Sequence, residues 1–88
     1  MDRAEAEGLL ENMDEDALFM DGYDDAILGI GAQFTKGPYV VYNREKCIQI
    51  LVDRDGMSYD EAEEFFQFNT EGAWVGEKTP IIVTTETF

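Results

Sequence analysis

The stretch NREKCIQILVDRDGMSYDEAEEFFQFN, Asn43–Asn69, decides the fold, because it reads as two helices joined at a sharp corner. Asn43 can cap the first helix by accepting a hydrogen bond from a backbone N–H of its first turn. Cys47, Ile48, Leu51 and Val52 then share one face at amphipathic spacing, and Ile50 sits off that stripe, which predicts partial burial on a second side. Gly56 follows the last helical position, where a left-handed residue is cheap only for glycine. Ser58 and Glu61 form a capping box for the second helix. Tyr59, Ala62, Phe65 and Phe66 give that helix its expected apolar stripe, while Asp60, Glu61, Glu63 and Glu64 point outward. So short a corner makes the two helices neighbours in space.

Outward from this hairpin, residues 2–13 carry a weak helical pattern. Ala4, Leu9, Leu10 and Met13 form a narrow stripe, Asp2 is a candidate cap, and Gly8 costs about 1 kcal/mol. Asp14–Asp25 reads as a loop anchored by Leu18, Phe19, Met20 and Tyr23. Ala26–Phe34 reads as a strand with Leu28, Ile30, Ala32 and Phe34 on one face. Gly29 and Gly31 lie on the other, where they permit a close approach. Thr35–Pro38 carries turn residues, and Tyr39–Tyr42 forms a second strand of an antiparallel pair. After the helices, Ala73–Val75 is extended, Gly76–Lys78 turns, and Pro80–Thr85 is a β-branched edge strand.

These elements predict one α+β domain spanning residues 1–88, with an acidic N-terminal segment (1–23) and an α+β core (24–88). The core is a small antiparallel sheet of about three strands packed against the helical hairpin on its Leu28/Ile30/Phe34 face, with a short N-terminal helix beside it. Trp74 and the Phe65/Phe66 pair are expected between the layers. At 88 residues and 44% apolar composition, with six Phe and four Tyr, one modest core is attainable. No apolar run is long enough to cross a membrane, and MDRAEAEGLL lacks the basic and apolar regions of a signal peptide. The lone Cys47 allows no internal disulfide, which suits a reducing cytoplasm. Its place on an apolar helix face predicts core packing, since a reactive thiolate needs nearby positive charge and solvent.

Charge is the outlying property. Twenty acids against six bases give a formal net charge of −14 with no histidine. Ten of those acids and only Arg3 fall within residues 1–25. Such a chain repels nucleic acid and anionic membranes and suits basic protein surfaces. A merely solvated, solubilising face is the other reading of the same charge.

Catalytic and metal chemistry find little footing. Asp53–Gly56 resembles the middle of an EF-hand loop, but with Gly56 in sixth position the first and twelfth ligands become Leu51 and Ala62, which supply no carboxylate. The acids Asp14, Glu15, Asp16, Asp21, Asp24 and Asp25 lack a glycine-hinged ligand spacing, and zinc needs more Cys or His than one and none. Without histidine the usual base for a Ser or Cys nucleophile is absent, and Ser58, the single serine, is engaged in capping. Gly29-Ile30-Gly31 lies within a strand and opens no phosphate-binding helix. The reading is therefore of a non-enzyme without cofactor. The second helix of the corner shows acids where a DNA-recognition helix carries Arg, Lys or Asn, which excludes direct DNA binding. Carboxylates three and four residues apart lie about 5–6 Å from one another on a helix, the same order as the phosphate spacing along a nucleic-acid strand. Such a row can occupy another protein's nucleic-acid groove.

The segments DDAILGIG (Asp24–Gly31), VVYNREKCIQIL (Val40–Leu51), DRDGMSYDEAEEFFQFN (Asp53–Asn69) and GAWVGEKTPIIV (Gly72–Val83) resemble a widespread family of short, mostly uncharacterised bacteriophage proteins. The resemblance covers about two-thirds of the chain, is most specific from Gly56 to Pro80, and does not extend to residues 1–23. It implies a small cytoplasmic protein of a virus or prophage and no particular enzymatic activity. Since phage accessory proteins often bind and inhibit host machinery, it favours a basic host protein as partner. The expected contacts are Asp60, Glu61, Glu63 and Glu64, then Asp14, Glu15, Asp16, Asp24 and Asp25. Self-association through the Ile81–Thr85 edge, Tyr39 or Trp74 is the alternative.

Overall fold

The helical corner forms where its caps place it. In the computed structural model, which describes residues 1–73 and 75–85, α1 (Arg3–Asn12) is followed by β1 (Ile27–Gln33), β2 (Lys36–Asn43), α2 (Arg44–Asp55), α3 (Tyr59–Phe66) and β3 (Ile81–Val83). A single 3-10 turn, Asp24–Ala26, leads into β1, and a π-helical stretch, Gln67–Glu71, prolongs α3. Asn43 Oδ1 accepts from the Lys46 N–H at 3.0 Å, and Gly56 ends α2 in the left-handed region at φ +69°. Ser58 and Glu61 complete the capping box of α3. At the other end of the chain, Asp2 and Glu5 form a second capping box, which starts α1.

Cys47, Ile48 and Leu51 of α2 are fully buried against Val40 and Tyr42 of β2 and against Ala62 and Phe66 of α3, in one cluster that also takes in Ala6, Leu10, Tyr23, Ala26 and Ile27. Each large aliphatic side chain so buried contributes about 1.5–3 kcal/mol. The stripe of α3 is narrower than expected. Ala62 and Phe66, four apart, face inward, while Tyr59 and Phe65 are about 40% exposed. Phe65 and Phe66 are 100° apart on the helix, so one core cannot hold both. The same correction applies to α1, whose buried residues are Ala6 and Leu10 rather than Ala4, Leu9 and Met13.

The fold is α+β with a three-stranded sheet in the order β1-β2-β3. β1 and β2 pair antiparallel as expected, although the turn is at Phe34-Thr35 and Lys36, Gly37 and Pro38 already belong to β2. β2 and β3, by contrast, pair parallel, with Val41 opposite Ile81 and Asn43 opposite Val83. The sheet is thus mixed rather than wholly antiparallel. The cause is the helical crossover: after β2 the chain passes through α2, α3 and the segment up to Pro80, so that β3 begins opposite Val41 and runs alongside the last three residues of β2 in the same direction, as a parallel pair with a crossover connection does.

The face of β1 also differs from simple alternation. The register slips between Ile27 and Gly29, so Ile27 stands opposite Tyr42 and Ile30 opposite Val40. A bulge puts two residues against one and flips the alternation. Ile27 and Ile30 therefore face the core together, Leu28 is 48% exposed, and Phe34 at the turn is 103% exposed. Gly31 does serve close approach: a Cβ there would lie 3.0 Å from Val41 Cγ2. The loop before β1 is held by Tyr23, whose ring meets Phe66 edge-on at 5.6 Å, and by Phe19 and Met20, whereas Leu18, expected with them, is exposed. The Met20 N–H also donates to the Tyr42 hydroxyl at 2.8 Å. Trp74, expected between the layers, lies outside the described residues.

Candidate partner-binding surface

The expected acidic contacts fall into three places. The first is built by the end of α1. Asp14 takes a left-handed conformation at φ +56°, its N–H reaches Glu11 O and the Glu15 N–H reaches Leu10 O, both at 3.0 Å. This is the Schellman arrangement with aspartate in the place glycine usually fills. The reversal swings Asp14, Glu15 and Asp16 back beside Glu7 and Glu11, and together with Lys78 they line an open hollow of about 600 Å³. The carbonyl end of a helix carries partial negative charge, so acids here are disfavoured. Negative potential is concentrated against local stability.

The second place holds Asp24 and Asp25 with Asp53 of α2, beside Lys46 and Arg54, around a hollow of about 570 Å³. Its charges are mixed. Asp24 Oδ1 lies 3.9 Å from Arg3 Nη1, an ion contact without a hydrogen bond.

The third is α3, whose four acids do not form one row. Glu63 turns toward α2 and lies 3.8 Å from Arg44 Nη1, and Arg44 Nε donates to Glu71 Oε2 at 2.8 Å. Glu61 Oε1 accepts from the Ser58 N–H at 3.3 Å. Asp60 and Glu64 are exposed. Glu61 and Glu64 flank a shallow hollow of about 340 Å³ with Met57, Phe65, Phe68 and Asn69. Phe68, on the π-helical stretch, is 74% exposed. The stretch forms because the helix widens there, with the Gly72 N–H bonded to Gln67 O five residues back.

Arginine accounts for the neutralised acids. Arg3 pairs with Glu7 and Asp21 at 3.3 Å, Arg44 with Glu63 and Glu71, and Arg54 with Asp55 at 3.0 Å. Among the described residues, Glu11, Asp14, Glu15, Asp16, Asp25, Asp60, Glu61 and Glu64 make no ion pair, so most of the expected contacts have no cationic partner within the chain. The hydrogen bond from Arg54 depresses the Asp55 pKa below the usual carboxylate range. Among the described residues no three acids or cysteines gather as metal ligands.

Glu7, Glu11 and Lys78 belong to the first hollow and were not among the expected contacts; only the reversal at Asp14 brings them there. Phe65 and Phe68 were likewise missed as surface residues, although the adjacency of Phe65 and Phe66 is the signal that one ring must face outward. No helix among the described residues is long and apolar enough to cross a membrane. Comparison with family models, curated proteins and solved structures gives no match.

Proposed function

We propose that the protein is a small acidic accessory factor of phage type that docks on a basic surface of a host protein in the host cytoplasm, inhibiting it as a nucleic-acid mimic. The observation that carries this reading is the hollow at the end of α1, where Glu11, Asp14, Glu15 and Asp16, none of them ion-paired, line the cavity with the Arg3-paired Glu7, and Lys78 is the one base on its lining among the described residues. Carboxylates held at the negative end of a helix dipole repel one another, and a cationic partner relieves that repulsion. Folding alone gives no reason to gather them there. The reading includes no catalytic step and no cofactor.

The test is affinity capture from bacterial lysate by the wild-type chain and by the Asp14→Asn/Glu15→Gln/Asp16→Asn variant, at low and high salt. A basic protein retained by the wild type, released by salt and by duplex DNA, and not retained by the variant is the expected result. Capture indifferent to salt and to the three substitutions would count against it.

A self-associating module is the second reading, favoured by the exposure of Phe34 and Phe68. Its edges oppose it: β1 is interrupted by two register shifts and β3 is three residues long after Pro80, features that blunt strand pairing. Tyr39, an expected contact, is half-buried. Light scattering separates the readings, since a strictly monomeric species removes this one.

A further inference from the structure

All three arginines of the chain are engaged with acids of the chain, and two of them use the same device. Arg3 lies 4.5 Å from the Phe19 ring centroid while pairing with Glu7 and Asp21. Arg54 lies 5.8 Å from the Tyr23 ring centroid while pairing with Asp55. A planar guanidinium satisfies both neighbours at once, stacking on the ring and donating in its plane to the carboxylate.

The patch at the end of α3 presents that same pair of groups to solvent. Phe65 and Phe68 expose 41% and 74% of their surface, Met57 lies beside them, and Glu61 and Glu64 rim the hollow three residues apart. The Phe68 ring is carried on a π-helical turn, a rare backbone form concentrated at functional sites. Met57 and the rings supply apolar area, and the two carboxylates, with a net charge of −14 behind them, set the sign of the partner.

We infer that the Met57/Phe65/Phe68 patch, with Glu61 and Glu64, is the docking surface for an arginine-bearing amphipathic segment of the protein's partner. The arginine stacks on Phe68 and donates to Glu64 and Glu61, and a neighbouring apolar side chain of the same segment rests between Phe65 and Met57. This rests on the basic-partner reading and adds to it the partner's chemistry and the place of contact.

The test is an amide NMR titration of the full chain at low salt with two synthetic helical peptides of equal charge, one bearing Arg and Leu, the other Lys and Leu. The Arg peptide is expected to move the amides of Met57, Glu61, Glu64, Phe65, Phe68 and Asn69, and to bind more tightly than the Lys peptide. Phe68→Ala and Glu64→Gln, both at exposed positions, should each weaken it about threefold, while Phe34→Ala leaves it unchanged. Thermal melts of the variants establish that they are folded. Shifts confined to the Glu7–Asp16 hollow overturn this placement and leave the basic-partner reading standing. Equal affinity for the two peptides with no effect of Phe68→Ala also overturns it. Concentration-dependent shifts at the same amides without peptide give the patch to a second copy. Failure of both peptides to bind anywhere at low salt overturns both readings together.

Discussion

Asn43 and Thr85, 42 residues apart in the chain, are joined by a 3.1 Å hydrogen bond from Asn43 Nδ2 to Thr85 Oγ1. The same buried side chain caps α2 through its Oδ1, so one asparagine ends β2, starts α2 and holds the chain leaving β3. Asn43→Ala removes the cap and the buried hydrogen bond together and should cost about 2 kcal/mol. Thr85→Val removes only the second and should cost about 1 kcal/mol. Chemical denaturation of the two variants separates the roles; equal losses would mean that the cap contributes nothing.

Asp14→Gly is expected to stabilise the protein by about 1 kcal/mol, because it relieves a left-handed aspartate and removes a charge from the negative end of α1. The same substitution should weaken capture of a basic partner. Urea unfolding and the salt-dependent binding assay, run on one variant, read both effects. Stabilisation without loss of binding would detach the hollow from function.

Two aromatic residues two positions apart should respond in opposite ways. Phe66 is fully buried against Tyr23, and Phe66→Ala should cost about 3–5 kcal/mol, a large share of the stability of so small a domain. Phe68→Ala should change stability by less than about 0.5 kcal/mol. Thermal melts followed by circular dichroism decide this directly.

Burial pushes the Cys47 thiol from its ordinary value of 9.0 up to about 12, although the nearby Arg44 pulls the other way. A raised pKa in the folded state means that the neutral thiol is the favoured partner of folding. Its contribution is complete below about pH 9 and is lost as pH rises toward 12. At pH 8 the native thiol should therefore react with a disulfide reagent about a thousandfold more slowly than the denatured chain. Comparable rates in the two states would place Cys47 outside the core.

Added salt should raise the melting temperature, because most carboxylates among the described residues lack a basic partner and repel one another across the surface. The Asp14→Asn/Glu15→Gln/Asp16→Asn variant should melt higher than the wild type at low salt and show a smaller salt effect. A melting temperature indifferent to salt would mean that the acids are too dispersed to interact.

Much of the fold is written in short-range chemistry. Asn43, Gly56, Ser58 and Glu61 fix the boundaries of α2 and α3, since a cap depends on residues within one helical turn of it. The β1–β2 pairing and the burial of Cys47, Ile48 and Leu51 follow from periodicity in the same way. The acids of the candidate surface were legible as a list, because charge is a property of composition.

Their arrangement was not. Leu28 faces outward because a bulge reverses the alternation of β1, and β3 runs parallel because a helical crossover sets its direction. Glu7, Glu11 and Asp14–Asp16 converge because Asp14 adopts a conformation that sequence reserves for glycine. Only the tertiary structure divides α3 between Glu63, drawn to Arg44, and Glu61 and Glu64 beside Phe68. The physical reason is range: a cap or a stripe is settled within a few residues, while the direction of a strand or the neighbours of a carboxylate depend on chain that is distant in sequence.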